Sequence, residues 1–348
     1  MKFLILFLLA LINCAEKADV YFTKTITPQR MVDIFKKLNV QLTGKVGLKV
    51  HSGEPGGLYF LKPNFLQNIY DYTKGTFLEC NTAYPSRRLE TSTHKELLEE
   101  NGWYDNGRKI DLMDENPDED IEFELKNYIQ INNTFAGKHL ELYDSCVVLS
   151  HFKGHQMGGF GGALKQLSIG FASRRGKTWI HTAGGTEDYN EMMKKVAPQE
   201  NFTNSMADAA SAIVNYFKEK GKIVYINVLA NISIACDCAG TSAPAPEIKD
   251  IGILASTAPV AIDTASLDLI KKTSEKGTKP FIDQVDKLLG ENTIDMAERL
   301  GVGTKNYNLI NIDDDGNKDD DKDIPNNIGT RTSLTFNLIL LVLLLFCN

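Results

Sequence analysis

Residues 150–165, SHFKGHQMGGFGGALK, combine reactive side chains with bare backbone. Two imidazoles, those of His151 and His155, move protons near neutral pH, and lysine ammonium groups attract anions. Glycines let backbone N–H groups approach a ligand because no Cβ stands in the way. The stretch therefore predicts a site for an anionic ligand or cofactor, with His155 and His151 as catalytic residues. The residues predicted to bind the ligand here are Lys153, Lys165, Gly158, Gly159, Gly161 and Gly162.

The glycine spacing differs from that of a G-x-x-x-x-G-K-[ST] phosphate loop and from the dinucleotide fingerprint. A structural interpretation also stays open, since glycine-rich turns serve close packing and buried histidines often bond within the protein. Clustering favours a site, because five of the six histidines lie in or beside segments that end predicted strands. These histidines are His51, His94, His151, His155 and His181.

Candidate residues also lie outside this stretch. His51 and Glu54, in HSGEPGG, are predicted to bind the ligand, and Asp263, in APVAID, is predicted to orient a catalytic histidine. A histidine beside a carboxylate suits proton transfer or metal ligation. Cys236 and Cys238 form a candidate metal half-site, because two thiolates do not make a four-cysteine cluster. A disulfide closing that short loop would be strained.

Short apolar runs alternate with helical patterns between the two ends of the chain. Each predicted strand leads into a glycine-bearing or polar loop, and ligands bind at the carboxyl ends of parallel strands. The pattern predicts an α/β fold with a largely parallel sheet and helices on both faces, as one large domain or two lobes. The predicted strands are 45–50, 76–84, 145–152, 222–234 and 251–256, and the predicted helices include 28–38 and 205–220.

The two ends of the chain read as targeting segments. Residues 1–15 are typical of a signal peptide. Residues 328–348 are typical of a removed glycolipid (GPI) anchor signal, with a short membrane tail as the alternative. Residues 313–327 form a predicted acidic stalk, and 16–312 the folded domain. This pattern predicts a protein held on the outer face of the plasma membrane by a C-terminal lipid anchor or tail.

The charge balance limits the partners. The chain has a formal net charge of −7, and nucleic acid is therefore not an expected partner. Much of this charge lies in residues 313–323, where seven aspartates and two lysines give −5. Three N-x-S/T sequons, at Asn132, Asn201 and Asn231, suit a secreted glycoprotein, although Asn231 falls within a predicted buried strand.

Several stretches resemble the uncharacterised domain of unknown function 362 family, whose members carry an iron–sulfur label. They include KVGLKVHSGEPGG, ECNTAY, VVLSHFKGHQMGGFGGALKQLSIGFASRRGK and CDCAG. The resemblance covers most of residues 19–312 and implies an α/β fold with a shared site but no settled activity. Many relatives append a ferredoxin-like module with clustered cysteines. This sequence has no C-x-x-C-x-x-C run, and we do not expect an iron–sulfur cluster.

The central stretch is also similar to a motif of the lactate racemase family, H-F-x-A-G-F-S-G-G-x-K. In this sequence Lys165 follows His155 by ten residues, with glycines between them. The resemblance implies an acid–base role for His155, a cofactor anchor at Lys165 and a metal ligand at His181. It departs from that family in lacking a D-x-T-R segment.

Three hypotheses follow for the function. The site belongs to an enzyme that holds a phosphorylated or carboxylated ligand, with a metal or a nucleotide-derived cofactor as candidates. Alternatively, it belongs to a non-catalytic surface protein that captures a small anionic ligand. A redox or iron–sulfur protein is the third hypothesis, supported by the family label and the Cys-x-Cys pair.

Overall fold

The structure, a computed structural model, describes residues 17–116 and 119–313. Twelve strands are present in these residues. Their bounds are β1 Ala18–Thr23, β2 Val46–Lys49, β3 Thr76–Glu79, β4 Ile110–Leu112, β5 Asp120–Glu124, β6 Asn133–Gly137, β7 Ser145–His151, β8 Lys153–His155, β9 Gly159–Gly161, β10 Lys222–Leu229, β11 Gly252–Ser256 and β12 Tyr307–Asn311.

The α-helices of the described residues lie between these strands. Their bounds are α1 Pro28–Lys37, α2 Gln67–Thr73, α3 Thr91–Glu100, α4 Ala163–Lys165, α5 Arg174–His181, α6 Tyr189–Met192, α7 Gln199–Lys220, α8 Pro259–Lys271, α9 Thr278–Lys287 and α10 Gly290–Arg299. A π-helix, Gln166–Gly170, continues directly from α4. Short 3₁₀ turns occupy Asp105–Gly107, Lys138–Leu142 and Asp237–Ser242.

Eight strands form the main sheet, in the order β12-β1-β11-β10-β7-β2-β3-β4. All neighbours are parallel except at β11, which runs antiparallel to both β1 and β10. Two small antiparallel hairpins, β5 with β6 and β8 with β9, lie outside this sheet. The expected α/β fold with a largely parallel sheet is confirmed.

Both faces of the sheet are covered, and β7 shows how its sequence allows this. Cys146 and Val148 join the apolar core on one face, which includes α7 and α8. Val147 and Leu149 join the core on the other face, which includes α1. Since successive strand side chains point to opposite faces, a continuous apolar run is what a strand covered on both sides requires.

Helix α1 illustrates how local sequence sets an element. Thr27 accepts a hydrogen bond from the N–H of Arg30 at 3.1 Å and caps the helix, and Pro28 occupies its first turn. Both residue types favour a helix start. The buried apolar side chains recur with helical spacing and face the sheet: Met31, Val32, Ile34 and Phe35.

Several boundaries differ from the prediction. Strand β3 ends at Glu79 and not at 84, and α7 begins at Gln199 and not at 205. Strand β10 ends at Leu229 and not at 234, and Asn231 follows it as an exposed residue with φ +50°. The expectation that Asn231 lies in a buried strand is therefore wrong. Asp313, assigned to the stalk, accepts hydrogen bonds from Thr23 Oγ1 and from the N–H of Lys24, so it belongs to the folded part.

Some predictions fall on residues outside the described part of the chain. They are the signal peptide, the anchor signal or membrane tail, and the stalk beyond Asp313. Across residues 17–116 and 119–313, none of the helices combines the length and the apolar composition needed to cross a bilayer.

Candidate functional site

Three loops that follow β2, β7 and β10 contact one another at the carboxyl edge of the sheet. These strands are parallel neighbours, so the loops leave from the same edge. The loop after β2 packs on the segment after β10, where a Cβ on Gly56 would stand 2.7 Å from Thr241 Cγ2. The β8–β9 hairpin, which follows β7, joins that segment through a hydrogen bond from Gly154 N–H to Ser233 O at 2.8 Å. Such an edge is where α/β proteins place their ligands.

Two cysteines, a histidine and a lysine meet between these loops. The sulfur of Cys236 accepts a hydrogen bond from the N–H of Cys238 at 3.3 Å, and Lys165 Nζ lies 4.0 Å from it. Both sulfurs and one ring nitrogen of His155 lie within 4.8 Å of one another. We call His155, Lys165, Cys236 and Cys238 the thiol cluster. Cys236 is fully buried and Cys238 is partly exposed, so the cluster opens to solvent on the Cys238 side.

The two sulfurs of the thiol cluster have opposite acidities. Burial raises the pKa of Cys236, but a hydrogen bond from the Cys238 thiol and the charge of Lys165 outweigh burial and hold that pKa well below its usual value. Donating that bond, together with burial, raises the pKa of Cys238 well above its usual value. These shifts favour the thiolate at Cys236, as the acceptor, and the thiol at Cys238, as the donor. Cys146 differs, since burial raises its pKa to about 12.

The hydrogen bonds of His155 fix which ring nitrogen carries its proton. Its Nδ1 accepts from the backbone N–H groups of Met157 and Gly158, at 3.1 and 2.9 Å. Burial lowers its pKa, so the ring is neutral at pH 7 and its proton resides on Nε2. That N–H points to the Cys236 sulfur and stabilises the thiolate. Nε2 has no lone pair in this tautomer, and His155 therefore fits a donor better than a metal ligand or a base.

The cysteines of the described residues do not fit an iron–sulfur cluster. Such clusters use four cysteine thiolates, or two with two histidines at one iron of a Rieske centre. Here Cys236 and Cys238 lie together, whereas Cys80 directs its thiol to the carbonyl oxygen of Phe171 at 3.6 Å. Cys146 is buried within β7.

Beside the thiol cluster, Asp237 holds Lys153 and His151 in a buried triad. Its carboxylate lies 2.6 Å from Lys153 Nζ and 3.0 Å from His151 Nδ1. Burial raises the pKa of Asp237, but these partners outweigh burial and hold the pKa well below its usual value. His151 Nε2 also bonds to Ala230 O at 2.6 Å, so both ring nitrogens are engaged with the protein itself. The charge of Lys153 is likewise balanced within the protein, by the Asp237 carboxylate.

A second buried network follows β2 and β3, and we call Lys49, Glu54, Glu79 and Arg88 the carboxylate network. Glu79 accepts from Lys49 Nζ and from Arg88 Nη2, each at 2.9 Å. Burial raises the pKa of Glu79, but these two cations hold it well below its usual value. Arg88 also pairs with Glu54 at 3.1 Å. All of these charges are matched within the network.

His51 lies against the carboxylate network. Its Nδ1 accepts from the N–H of Gly53 at 3.1 Å, and its Nε2 lies 3.3 Å from Arg88 Nη1. Burial and the charge of Arg88 lower its pKa to about 3. At neutral pH His51 is therefore uncharged and offers no positive charge to an anion.

Close packing accounts for most of the glycine-rich loop. Gly159 has φ +77°, and a Cβ there would stand 3.0 Å from Gly290 Cα. Gly161 pairs with Lys153 in the β8–β9 hairpin, and Gly158 directs its N–H to His155. These backbone groups are engaged within the hairpin, as the structural interpretation of the loop expects.

Asp263 caps the short helix that follows the loop. Its two oxygens accept from the N–H groups of Ala163 and Leu164, both at 2.8 Å, and one of them also accepts from Asn227 Nδ2 at 2.8 Å. A Cβ on Gly162 would stand 2.4 Å from Asp263 Oδ1. Burial raises the pKa of Asp263 to about 6. These contacts position α4, and with it Lys165, and none of them is to a histidine.

His181 ends α5 near the thiol cluster. Its Nδ1 donates to Lys177 O at 2.6 Å, and its ring stacks on Phe202 with centroids 4.9 Å apart. Burial lowers its pKa to about 4, with a smaller contribution from the charge of Lys165. The donor atoms that meet the two cysteines are those of His155, and His181 is outside that group.

The structure thus divides the predicted residues among several environments. Those in one cluster are His155, Lys165, Cys236 and Cys238. His151 and Lys153 adjoin this cluster through Asp237, whereas His51 and Glu54 belong with the carboxylate network. Two functional candidates were missed. Asp237 stands between the two cysteines in sequence, and Arg88 follows the polar turn after β3. These positions, next to segments already selected, could have identified both residues as candidates.

Two solved structures resemble this chain weakly. A protein from Thermotoga maritima is 13% identical, with a TM-score of 0.39, over 78% of this chain and 59% of that one. The lactate racemase apoprotein from Thermoanaerobacterium thermosaccharolyticum is 14% identical, with a TM-score of 0.40, over 72% and 57%. The chain spans less than two thirds of the length of either protein.

In sequence, no curated protein matches this chain. Residues 46–268 match the family described as Domain of unknown function (DUF362). This match covers β2 through most of α8 and includes every residue of the thiol cluster and of the carboxylate network. The chain therefore belongs to the DUF362 family.

Proposed function

We propose that Cys236 acts as a nucleophilic thiolate toward a small substrate. The environment of its sulfur carries this proposal, since the N–H of Cys238 and the ammonium of Lys165 both face it, at 3.3 and 4.0 Å. A thiolate, not a thiol, is the nucleophilic form of cysteine. Among the described residues, the Lys165 ammonium contacts the Cys236 sulfur and forms no ion pair with a carboxylate.

Lys165 has a second part in this proposal. When the Cys236 sulfur forms a bond, its negative charge moves onto the substrate or its leaving group. Lys165 then stands beside that charge and stabilises it. An anionic or charge-accepting substrate suits this arrangement. Lys165 takes the anion-binding role expected of both lysines, because Lys153 is neutralised by Asp237.

Alkylation tests the nucleophile. Treating the native protein with iodoacetamide at pH 6.5 should modify Cys236 at least about tenfold faster than Cys80 or Cys146, whose pKa values burial raises. Peptide mass spectrometry measures each rate. Equal rates at the three cysteines would contradict a thiolate at Cys236.

A pair of reagents tests Lys165 separately. Iodoacetate is an anion of nearly the same size as iodoacetamide, so the ratio of the two rates at Cys236 reports the local positive charge. Lys165→Met should lower this ratio, and Lys165→Arg should retain it. A ratio that is the same in all three proteins would remove Lys165 from the proposed machinery.

The setting of this chemistry is also a proposal, supported by the sequence pattern at the two ends. We expect the full chain, expressed in animal cells, to reach the cell surface and to be released by a phospholipase specific for GPI anchors. A chain ending at Asp313 should appear in the medium. Retention after phospholipase treatment would favour the short membrane tail, and retention inside the cell would overturn the surface location.

A further inference from the structure

We propose that Cys236 and Cys238 form a reversible pair in which a peroxide oxidises Cys236 and Cys238 then resolves the product as a disulfide. This inference rests on the proposed function, because it names the substrate class of the same thiolate. Two observations on the geometry and two chemical arguments support it.

First, the two sulfurs are close and unequal in access. They lie within 4.8 Å of each other, as two members of the thiol cluster. Cys236 is fully buried, whereas Cys238 is partly exposed. A buried attacking sulfur favours a substrate as small as hydrogen peroxide over a protein disulfide.

Second, the groups around Cys236 suit the charge that such a reaction creates. The N–H of Cys238, the Nε2–H of His155 and the ammonium of Lys165 all face this sulfur. When the thiolate attacks peroxide, hydroxide leaves, and Lys165 stabilises it until it is protonated.

Third, the chemistry balances. The Cys236 sulfur attacks one peroxide oxygen, an S–O bond forms, the O–O bond breaks, and the hydroxide takes a proton from solvent, equivalent to the one Cys236 lost on ionising, and leaves as water. The sulfur is now a sulfenic acid. Oxidation removes the Cys236 charge and acceptor, which raise the pKa of the Cys238 thiol in the reduced protein. The Cys238 sulfur then attacks the Cys236 sulfur, an S–S bond forms, the S–O bond breaks, and the departing hydroxide takes the Cys238 proton and leaves as water. Two thiols and one peroxide give one disulfide and two waters.

Fourth, the resulting bond should be easy to reduce. A disulfide between cysteines separated by one residue closes a short, strained loop, and strained or exposed disulfides are the labile ones. Cys238 is partly exposed, so a small dithiol reaches the bond and restores both thiols.

Oxidation of the reduced full-length protein with equimolar hydrogen peroxide tests the proposal. We expect a mass loss of about 2 Da, confined to the peptide with both cysteines and reversed by dithiothreitol. In Cys238→Ser, a dimedone adduct should appear at Cys236 instead. Cys146→Ala should behave as the wild type, and Lys165→Met should react at least about tenfold more slowly.

Two results separate this proposal from the broader one. If iodoacetamide modifies Cys236 rapidly but peroxide causes neither mass loss nor a dimedone adduct, the peroxide assignment fails and the nucleophile stands. If Cys236→Ser loses the same mass as the wild type, the oxidised pair lies elsewhere and the assignment also fails. A Cys236 that reacts with neither reagent overturns both proposals.

Discussion

At the scale of single residues, this protein buries two groups of charged side chains beside their counter-charges. Asp237 holds Lys153 and His151 beside the thiol cluster, and Glu79 holds two cations under the neighbouring loop. A buried charge that loses its partner is costly, whereas an exposed pair contributes little. The triad around Asp237 therefore contributes to stability as well as to the site.

Removing the carboxylate of Asp237 should destabilise the fold strongly. Asp237→Asn leaves Lys153 buried without its counter-charge, so we expect a loss of about 3 to 5 kcal/mol in the free energy of unfolding. Urea denaturation of the reduced protein measures it. Asp283→Asn is the matched control, because Asp283 pairs with Lys279 at the surface and its loss should cost less than about 1 kcal/mol. Equal losses in both variants would contradict the prediction.

His181 should make stability depend on pH in a defined window. Its pKa in the fold is about 4, against about 6.5 in the unfolded chain, so the unfolded chain binds more protons between these values. Stability should therefore fall as the pH drops from about 6.5 to 4, by up to about 3 kcal/mol from this residue.

His181→Phe tests that origin, because it keeps an aromatic ring over Phe202 but cannot take up a proton. The variant should lose less stability than the wild type between pH 6.5 and 4.5, as followed by urea denaturation. Parallel pH profiles for the two proteins would assign the dependence to other groups.

Residue roles were only partly predictable from the sequence. The types and spacing of His155, Lys165 and the two cysteines indicated a site, and the structure brings these four together. Their roles could not be read off, because the tautomer of His155 depends on two backbone N–H groups in a turn. The neutralisation of Lys153 likewise depends on Asp237, which is 84 residues away in sequence.

At the scale of elements, the β8–β9 hairpin and α4 together position His155 and Lys165. Asp263 holds the first two N–H groups of α4, and Lys165 is the last residue of that helix. A π-helix follows at once, a feature that often marks functional sites. The glycines matter here because they let the hairpin approach its neighbours closely.

Two neighbouring glycines should differ sharply when replaced. A Cβ on Gly162 would stand 2.4 Å from Asp263 Oδ1, whereas the nearest atom to a Cβ on Gly161 is 3.8 Å away. Gly162→Ala should therefore cost about 1 to 3 kcal/mol by overpacking and displace α4, and Gly161→Ala should cost much less. Thermal unfolding and the iodoacetamide rate at Cys236 measure both effects. A Gly161→Ala variant as impaired as Gly162→Ala would contradict this account.

Elements were more predictable than roles. Apolar runs located β2, β3, β7, β10 and β11, because strands covered on both faces need such runs. The end of β10 was missed, since the apolar residues after Leu229 pack in a loop and not in the sheet. The reversed direction of β11 carries no local signal, because strand direction is set by which strands pair.

At the scale of the whole molecule, the two ends of the folded chain fasten to each other. Strand β12 pairs with β1, and Asp313 then bonds to Thr23, to the N–H of Lys24 and to Arg30. The pKa of Asp313 is raised by burial but lowered overall by these partners. This clasp, the set of contacts made by Asp313, fastens the end of β12 to the end of β1 and to α1.

Loss of the clasp should weaken the fold in a pH-dependent way. Asp313→Ala should cost about 1 to 3 kcal/mol at pH 7 by removing charged hydrogen bonds. A carboxyl with a lowered pKa stabilises the fold above its unfolded pKa, about 3.9, and loses that effect as the pH falls. The difference from wild type should therefore shrink near pH 3. Asp295→Ala, in an exposed pair with Lys305, is the control and should cost less than about 1 kcal/mol.

The direction of β12 determines at which edge of the sheet Asp313 lies. Since β11 reverses between them, β1 and β12 run parallel to β10, and Asp313 leads out at the edge that carries the thiol cluster. Three strand spacings, about 15 Å, separate β12 from β10. The clasp at Asp313 and the thiol cluster after β10 therefore lie at the same edge of the sheet.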